Sequence, residues 1–116
     1  MKYILIILFF ILNGCAANKE TKIITIKKSF APQIWSDHKL FKGSLEMCSS
    51  KGKSILESLT FNKIVKNGHF VYGNFSNNRA VIKCVSIPEG TFVYTAVAGP
   101  NVKVVEKLRN EIMWQL

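Results

Sequence analysis

Three cysteines, two histidines and seven carboxylates are the groups in this chain with reactive chemistry to offer. The carboxylates are Glu20, Asp37, Glu46, Glu57, Glu89, Glu106 and Glu111. No two of them recur at a spacing that suggests a general acid working with a general base. Asp37 and His38 are adjacent, so their side chains need not converge, and no serine–histidine–aspartate arrangement is read. His69 follows the turn dipeptide Asn67-Gly68 and reads as a structural, partly exposed residue. Cys48 and Cys84 each lack a second cysteine or histidine at ligand spacing, which argues against a metal site. The glycines stand singly, so no phosphate-cradling loop is present. The expectation is a protein without catalysis, cofactor or metal.

Cys15 stands apart from this set because of what precedes it. Lys2 is followed by Ile4 to Leu12, a run without a polar residue. Such a run spans about 13 Å as a helix, against about 30 Å for a bilayer core. It therefore reads as the apolar part of a signal peptide rather than a membrane span. The apolar run, then Leu12-Asn13-Gly14-Cys15, resembles the bacterial lipoprotein signal. Leu12, Gly14 and Cys15 match that pattern, whereas Asn13 stands where a smaller residue is usual. The resemblance implies cleavage before Cys15 and lipid on its thiol. It also implies the outer membrane, because Ala16 rather than Asp follows the cysteine. An ordinary signal peptide cut after Ala17 is the alternative.

If Cys15 takes lipid, Cys48 and Cys84 remain in an oxidising compartment, and a disulfide between them is expected. A pair of buried thiols is the alternative. The organisation is then a cleaved signal peptide over 1–14, a lipidated tether over 15–29 and one α+β domain over 30–116. Within the tether, Thr21 to Lys28 alternates weakly and could add an edge strand.

The domain must be built from short elements. Phe30 to Leu40 reads as an irregular entry segment, with Phe30, Ile34 and Trp35 packing on the domain. Leu40 to Met47 is ambiguous between strand and helix. Ser49-Ser50 predicts an N-cap for a short helix over Lys51 to Leu59. The period then changes to two. Strands are expected at Asn62–Lys66, His69–Phe75, Arg79–Ser86 and Thr91–Ala98, joined by turns at Asn67-Gly68, Asn77-Asn78 and Pro88-Glu89-Gly90. Gly99-Pro100-Asn101 opens a closing helix, with Pro100 near its first position. In that helix Val102, Val105, Leu108 or Arg109, Ile112 and Leu116 follow helical spacing, Val105, Leu108, Ile112 and Trp114 or Leu116 are expected to cover the sheet, and Lys107 pairs with Glu111. The fold class is an antiparallel meander of about four strands with helices on one face.

A cysteine at a helix start, Tyr72-Gly73 in a hairpin, Ile82-Lys83-Cys84 ending a strand and Val97 to Pro100 before a last helix resemble a small, uncharacterised secreted bacterial domain. That likeness implies no activity and no site residues.

The chain carries net charge +9. A basic surface suits an envelope polyanion such as lipopolysaccharide, anionic lipid or glycan, but an AT-rich coding bias explains the lysines without a partner and is the preferred reading. Val81, Val85, Val93 and Val97 cannot all share a sheet face with Cys84, so apolar surface should remain open. Phe70, Tyr72, Phe75, Phe92 and Tyr94 add aromatics to the same strands. Stacking of single-stranded nucleic acid on aromatics set among Lys66, Arg79 and Lys83 is disfavoured by the compartment. The expectation is a lipid-anchored envelope module that works by contact with a protein partner. Polyanion binding is the alternative.

Overall fold

In chain order the elements are β1 (Gln33–Phe41), α1 (Leu45–Ser58), β2 (Asn62–Asn67), β3 (Phe70–Phe75), β4 (Asn78–Ile87), β5 (Gly90–Gly99) and α2 (Val102–Gln115). They come from a computed structural model, which describes residues 31–116. The leader, Cys15, the tether and Phe30 lie outside the described residues. The strands form one sheet in the order β1-β5-β4-β3-β2, every neighbour antiparallel. Both helices pack on it. The architecture is therefore α+β, with the meander of β2 to β5 extended by a fifth strand.

That fifth strand, β1, occupies the segment expected to be irregular. Its sequence hides its period because its helix-facing residues include charges. Trp35, Asp37, Lys39 and Phe41 pair with Val97, Thr95, Val93 and Thr91 of β5, and directly opposed residues share a face. Helix α2 supplies the partners these groups need. Lys39 Nζ donates to the Met113 carbonyl at 3.1 Å. Arg109 donates from Nη1 to the Ser36 carbonyl at 3.3 Å, lies 3.9 Å from Asp37 Oδ2 and sits over the Trp35 ring. The polar side of β1 is thus a docking strip for α2.

Helix α1 begins at Leu45, earlier than the Lys51 start expected from Ser49-Ser50. Ser44 is the cap, its Oγ accepting from the Met47 N–H at 3.1 Å. This satisfies one of the donors left open in a first turn. Ser49 and Ser50 instead lie within the helix, where Ser49 Oγ donates to the Glu46 carbonyl at 3.2 Å and Ser50 Oγ to Glu46 Oε1 at 3.3 Å. Gly52 brings α1 close to the sheet, since a Cβ there would stand 3.1 Å from Ile82 Cγ2. One turn earlier Cys48 is disulfide-bonded to Cys84 of β4, with both residues buried. The helix ends in a Schellman motif. The Thr60 N–H donates to the Glu57 carbonyl and the Phe61 N–H to the Leu56 carbonyl, each at 3.0 Å. Thr60 holds the left-handed position, φ 63°, and Phe61 turns into the core.

The core lies between the sheet and the helices. Leu56 of α1, Val71 and Ile82 of the sheet, and Val105 and Ile112 of α2 are fully buried. Each such side chain contributes roughly 1.5–3 kcal/mol relative to exposure. Gly73 admits Ile64 of β2, whose Cγ1 would be 3.1 Å from a Cβ there, and β2 itself carries the register shift, between Asn62 and Val65.

Helix α2 is capped by Asn101, whose Oδ1 accepts from the N–H groups of Lys103 and Val104. Pro100 therefore precedes the cap and is not the first helical residue. Val105, Leu108 and Ile112 face the sheet. Val102 is exposed, Trp114 is 87% exposed, and Leu116 packs against the core in its place. Lys107 and Glu111 do not form an ion pair, although Lys53 and Glu57 do at the same spacing on α1.

Candidate functional site

The register divides the sheet into two unlike faces. Ala80, Ile82 and Cys84 of β4 oppose Val97, Thr95 and Val93 of β5, and all six are buried beneath the helices. The alternate residues point the other way, because successive strand side chains leave opposite faces. No described element covers that second face.

Its composition is apolar and aromatic. From β1 come Ile34 and Leu40, 66% and 59% exposed. From β5 come Phe92 and Tyr94, from β4 Val81 and Val85, and from β3 Phe70 and Tyr72. Phe70 and Tyr72 are tilted against each other with centroids 5.4 Å apart, and His38 of β1 leans on Phe92 at 5.3 Å. Ile34 thus belongs to this bare face and not to the packing expected of it. The division of valines follows the expected constraint: Val93 and Val97 join Cys84 in the core, whereas Val81 and Val85 face out.

The charges on this face have one sign. Arg79 and Lys83 of β4 flank Val81. Arg79 Nε donates to Asn74 Oδ1 at 2.9 Å and its guanidinium lies over the Tyr72 ring at 5.8 Å. Lys83 sits between Tyr94 on one neighbouring strand and Phe70 on the other. The described carboxylates lie elsewhere. Asp37 faces α2, Glu46 and Glu57 are on α1, Glu106 and Glu111 are on α2, and Glu89 is in the β4–β5 turn. Glu46 is held below the usual carboxylate range chiefly by its hydrogen bond to Lys66, and further by that ammonium's charge.

Five strands about 4.8 Å apart, up to ten residues long at about 3.4 Å each, give a face on the order of 700 Å². It approaches the roughly 800 Å² per partner of a standard protein interface.

The other reactive groups are dispersed. Asp37 and His38 diverge to opposite faces of β1, linked only by the His38 N–H donating to Asp37 Oδ1 at 2.8 Å. His69 is in the β2–β3 turn. Among the described residues no group of three potential metal ligands occurs, and no helix is long and apolar enough to cross a membrane. The bare face was only half legible in the sequence. Its valines and aromatics were visible, but the part that β1 contributes was not.

No protein-family model, curated protein or solved structure matches this chain.

Proposed function

We propose that this protein is a membrane-tethered contact module whose bare sheet face receives a partner protein in the cell envelope. The uncovered apolar face carries the reading. Its cations, Arg79 and Lys83, specify the occupant: an apolar protein surface bearing carboxylates. A second copy of the chain is a poorer fit, because it would bring like charges together with no carboxylate between them. The leader and Cys15 supply the tether, and the outer membrane, facing the periplasm, is the proposed location. The Cys48–Cys84 disulfide supports an oxidising compartment.

A photoreactive amino acid at Tyr94 tests the reading in cells. The expected result is a crosslinked adduct with one protein, lost when Val85 and Phe70 are replaced by serine. A probe at Glu106 on α2 should give no such adduct. Adducts from Glu106 and none from Tyr94 would sink the proposal. Replacing Cys15 with Ala separately tests the tether: the product should lose the mass of the lipid and leave the detergent phase.

A further inference from the structure

The bare face is not even along β5. Its residues there are Phe92, Tyr94, Ala96 and Ala98, so the relief falls from rings to methyl groups toward the end of the strand. Ala98 stands between Ile34 of β1 and Arg79 of β4, and Arg79 stands between Ala98 and Asn74 of β3. A groove of about 580 Å³ opens over this low row and runs off the end of the sheet past Gly99 and Pro100. Pro32, ahead of β1, forms one bank, and the β3–β4 turn, with Ser76 and Asn77, forms the other.

Arg79 is held in place from two sides. Its Nε donates to Asn74 Oδ1 at 2.9 Å, and its guanidinium lies over the Tyr72 ring. The terminal nitrogens, Nη1 and Nη2, have no hydrogen-bond or ion-pair partner among the described residues. Asn74 accepts through Oδ1, so its Nδ2 is left to donate, and Ser76 and Asn77 add donors from the turn. No carboxylate lines the groove. A donor-rich groove with a single cation takes an anion, and the planar guanidinium fork matches the two oxygens of a carboxylate.

The floor beside that fork is apolar. Ala98 directly opposes Arg79, which sets their Cβ atoms about 5 Å apart, and Pro32 and Pro100 continue the apolar surface. A ligand that satisfies both must carry its carboxylate and its apolar group close together. The last residue of a chain carries the two on one Cα. Aspartate and glutamate put the carboxylate at the tip of the side chain and leave the floor bare.

We infer that this groove binds the carboxyl-terminal residue of a partner chain, with the α-carboxylate on Arg79 and an apolar side chain over Ala98. The inference rests on the contact reading of the bare face, and it names the part of the partner that meets this end of it.

The probe is N-acetyl-leucine, titrated into the full chain in detergent micelles and followed by the backbone amide resonances of Asn77, Asn78 and Gly99. N-acetyl-leucinamide lacks the charge, and N-acetyl-glutamic acid α-amide carries only a side-chain carboxylate. The expected result is saturable shifts confined to this end of the sheet. Binding should be at least about tenfold weaker for the leucinamide, and for N-acetyl-leucine on Arg79→Gln, as loss of a charge-assisted bond requires. Arg79→Lys should regain only part, since an ammonium lacks the fork. Unchanged α1 resonances in each variant check that the fold is intact. Equal binding of N-acetyl-leucine and its amide, or binding indifferent to Arg79, would overturn the carboxylate site. Tighter binding of the glutamate probe would overturn the assignment to a chain end. The partner is absent from this titration, so Tyr94 adducts in cells beside a groove that ignores N-acetyl-leucine would leave the contact reading standing and remove this inference alone.

Discussion

Asn78 Oδ1 lies against the bare Cα of Gly99, and a Cβ on Gly99 would overlap it. The two residues lock the ends of β4 and β5 where the chain leaves the sheet for α2. Asn78 is 7% exposed and its Nδ2 donates to the Phe75 carbonyl at 3.0 Å, so it also closes the β3–β4 turn. Gly99→Ala should cost about 1–3 kcal/mol, as overpacking does. In a domain of this size each kcal/mol lowers the melting temperature by roughly 4–8 °C. A double-mutant cycle with Asn78→Ala should show coupling between the sites. Additive losses would mean that the contact does not transmit the strain.

Thr60 makes the opposite prediction. It occupies the left-handed position that ends α1, where a β-branched residue is strained. Thr60→Gly should keep the backbone hydrogen bonds that Thr60 and Phe61 make to the helix, lose only the exposed bond from Thr60 Oγ1 to the Leu59 carbonyl, and raise stability by about 1 kcal/mol. Urea denaturation reads the change. A destabilised variant would contradict the strain.

Removal of the Cys48–Cys84 bond should be costly. It closes a loop with a sequence separation of 36 residues and joins α1 to the central strand β4. The chain-entropy account assigns such a link on the order of 4 kcal/mol, against roughly 5–15 kcal/mol for a whole domain. Alanine at both positions, which leaves no unsatisfied hydroxyl in the core, should lower the unfolding free energy read from urea denaturation by that amount. A change near zero would mean that the bond does not stabilise the domain.

Glu46 gives a pH signature. Its folded pKa is depressed by the Lys66 hydrogen bond and charge, so its contribution to stability is present above the unfolded value. That contribution fades as pH falls through the depressed folded value. Carbon-detected nuclear magnetic resonance should find Glu46 titrating below the ordinary carboxylate range, and Lys66→Gln should move it up toward that range. High salt should move it the same way, because the pair is exposed.

The elements whose period is clean were legible in the sequence. The β2–β3 hairpin lies where the Asn67-Gly68 dipeptide signals it, but one residue later than read, since Asn67 pairs with Phe70 and Gly68 and His69 make the turn; β4 and β5 alternate with Ala80, Ile82, Cys84 and Val93 inward. Segments whose polar groups are satisfied from a distance were not. The inward side of β1 reads as polar because Asp37 and Lys39 find their partners on α2, about seventy residues later. The start of α1 was misplaced because two further serines compete with Ser44 as caps, and only the backbone shows which one lies outside the helix. At the end of α2, helical spacing left Trp114 and Leu116 open, and packing chose the smaller. The candidate face shares this history, since its outer row, Ile34 and Leu40, belongs to the strand that the pattern concealed.

The position of β1 has a kinetic consequence. It is the first described strand to be made, yet its neighbour β5 is the last strand in the chain. A chain that emerges from its amino end must keep β1 single until nearly everything else has appeared, and non-local pairing of this kind is slow. During that interval a nine-residue strand with exposed Ile34 and Leu40 is open to proteases and to misplaced partners. Maturation should therefore depend on how fast the carboxyl-terminal third arrives, and truncation before β5 should yield a degraded product rather than a smaller folded one.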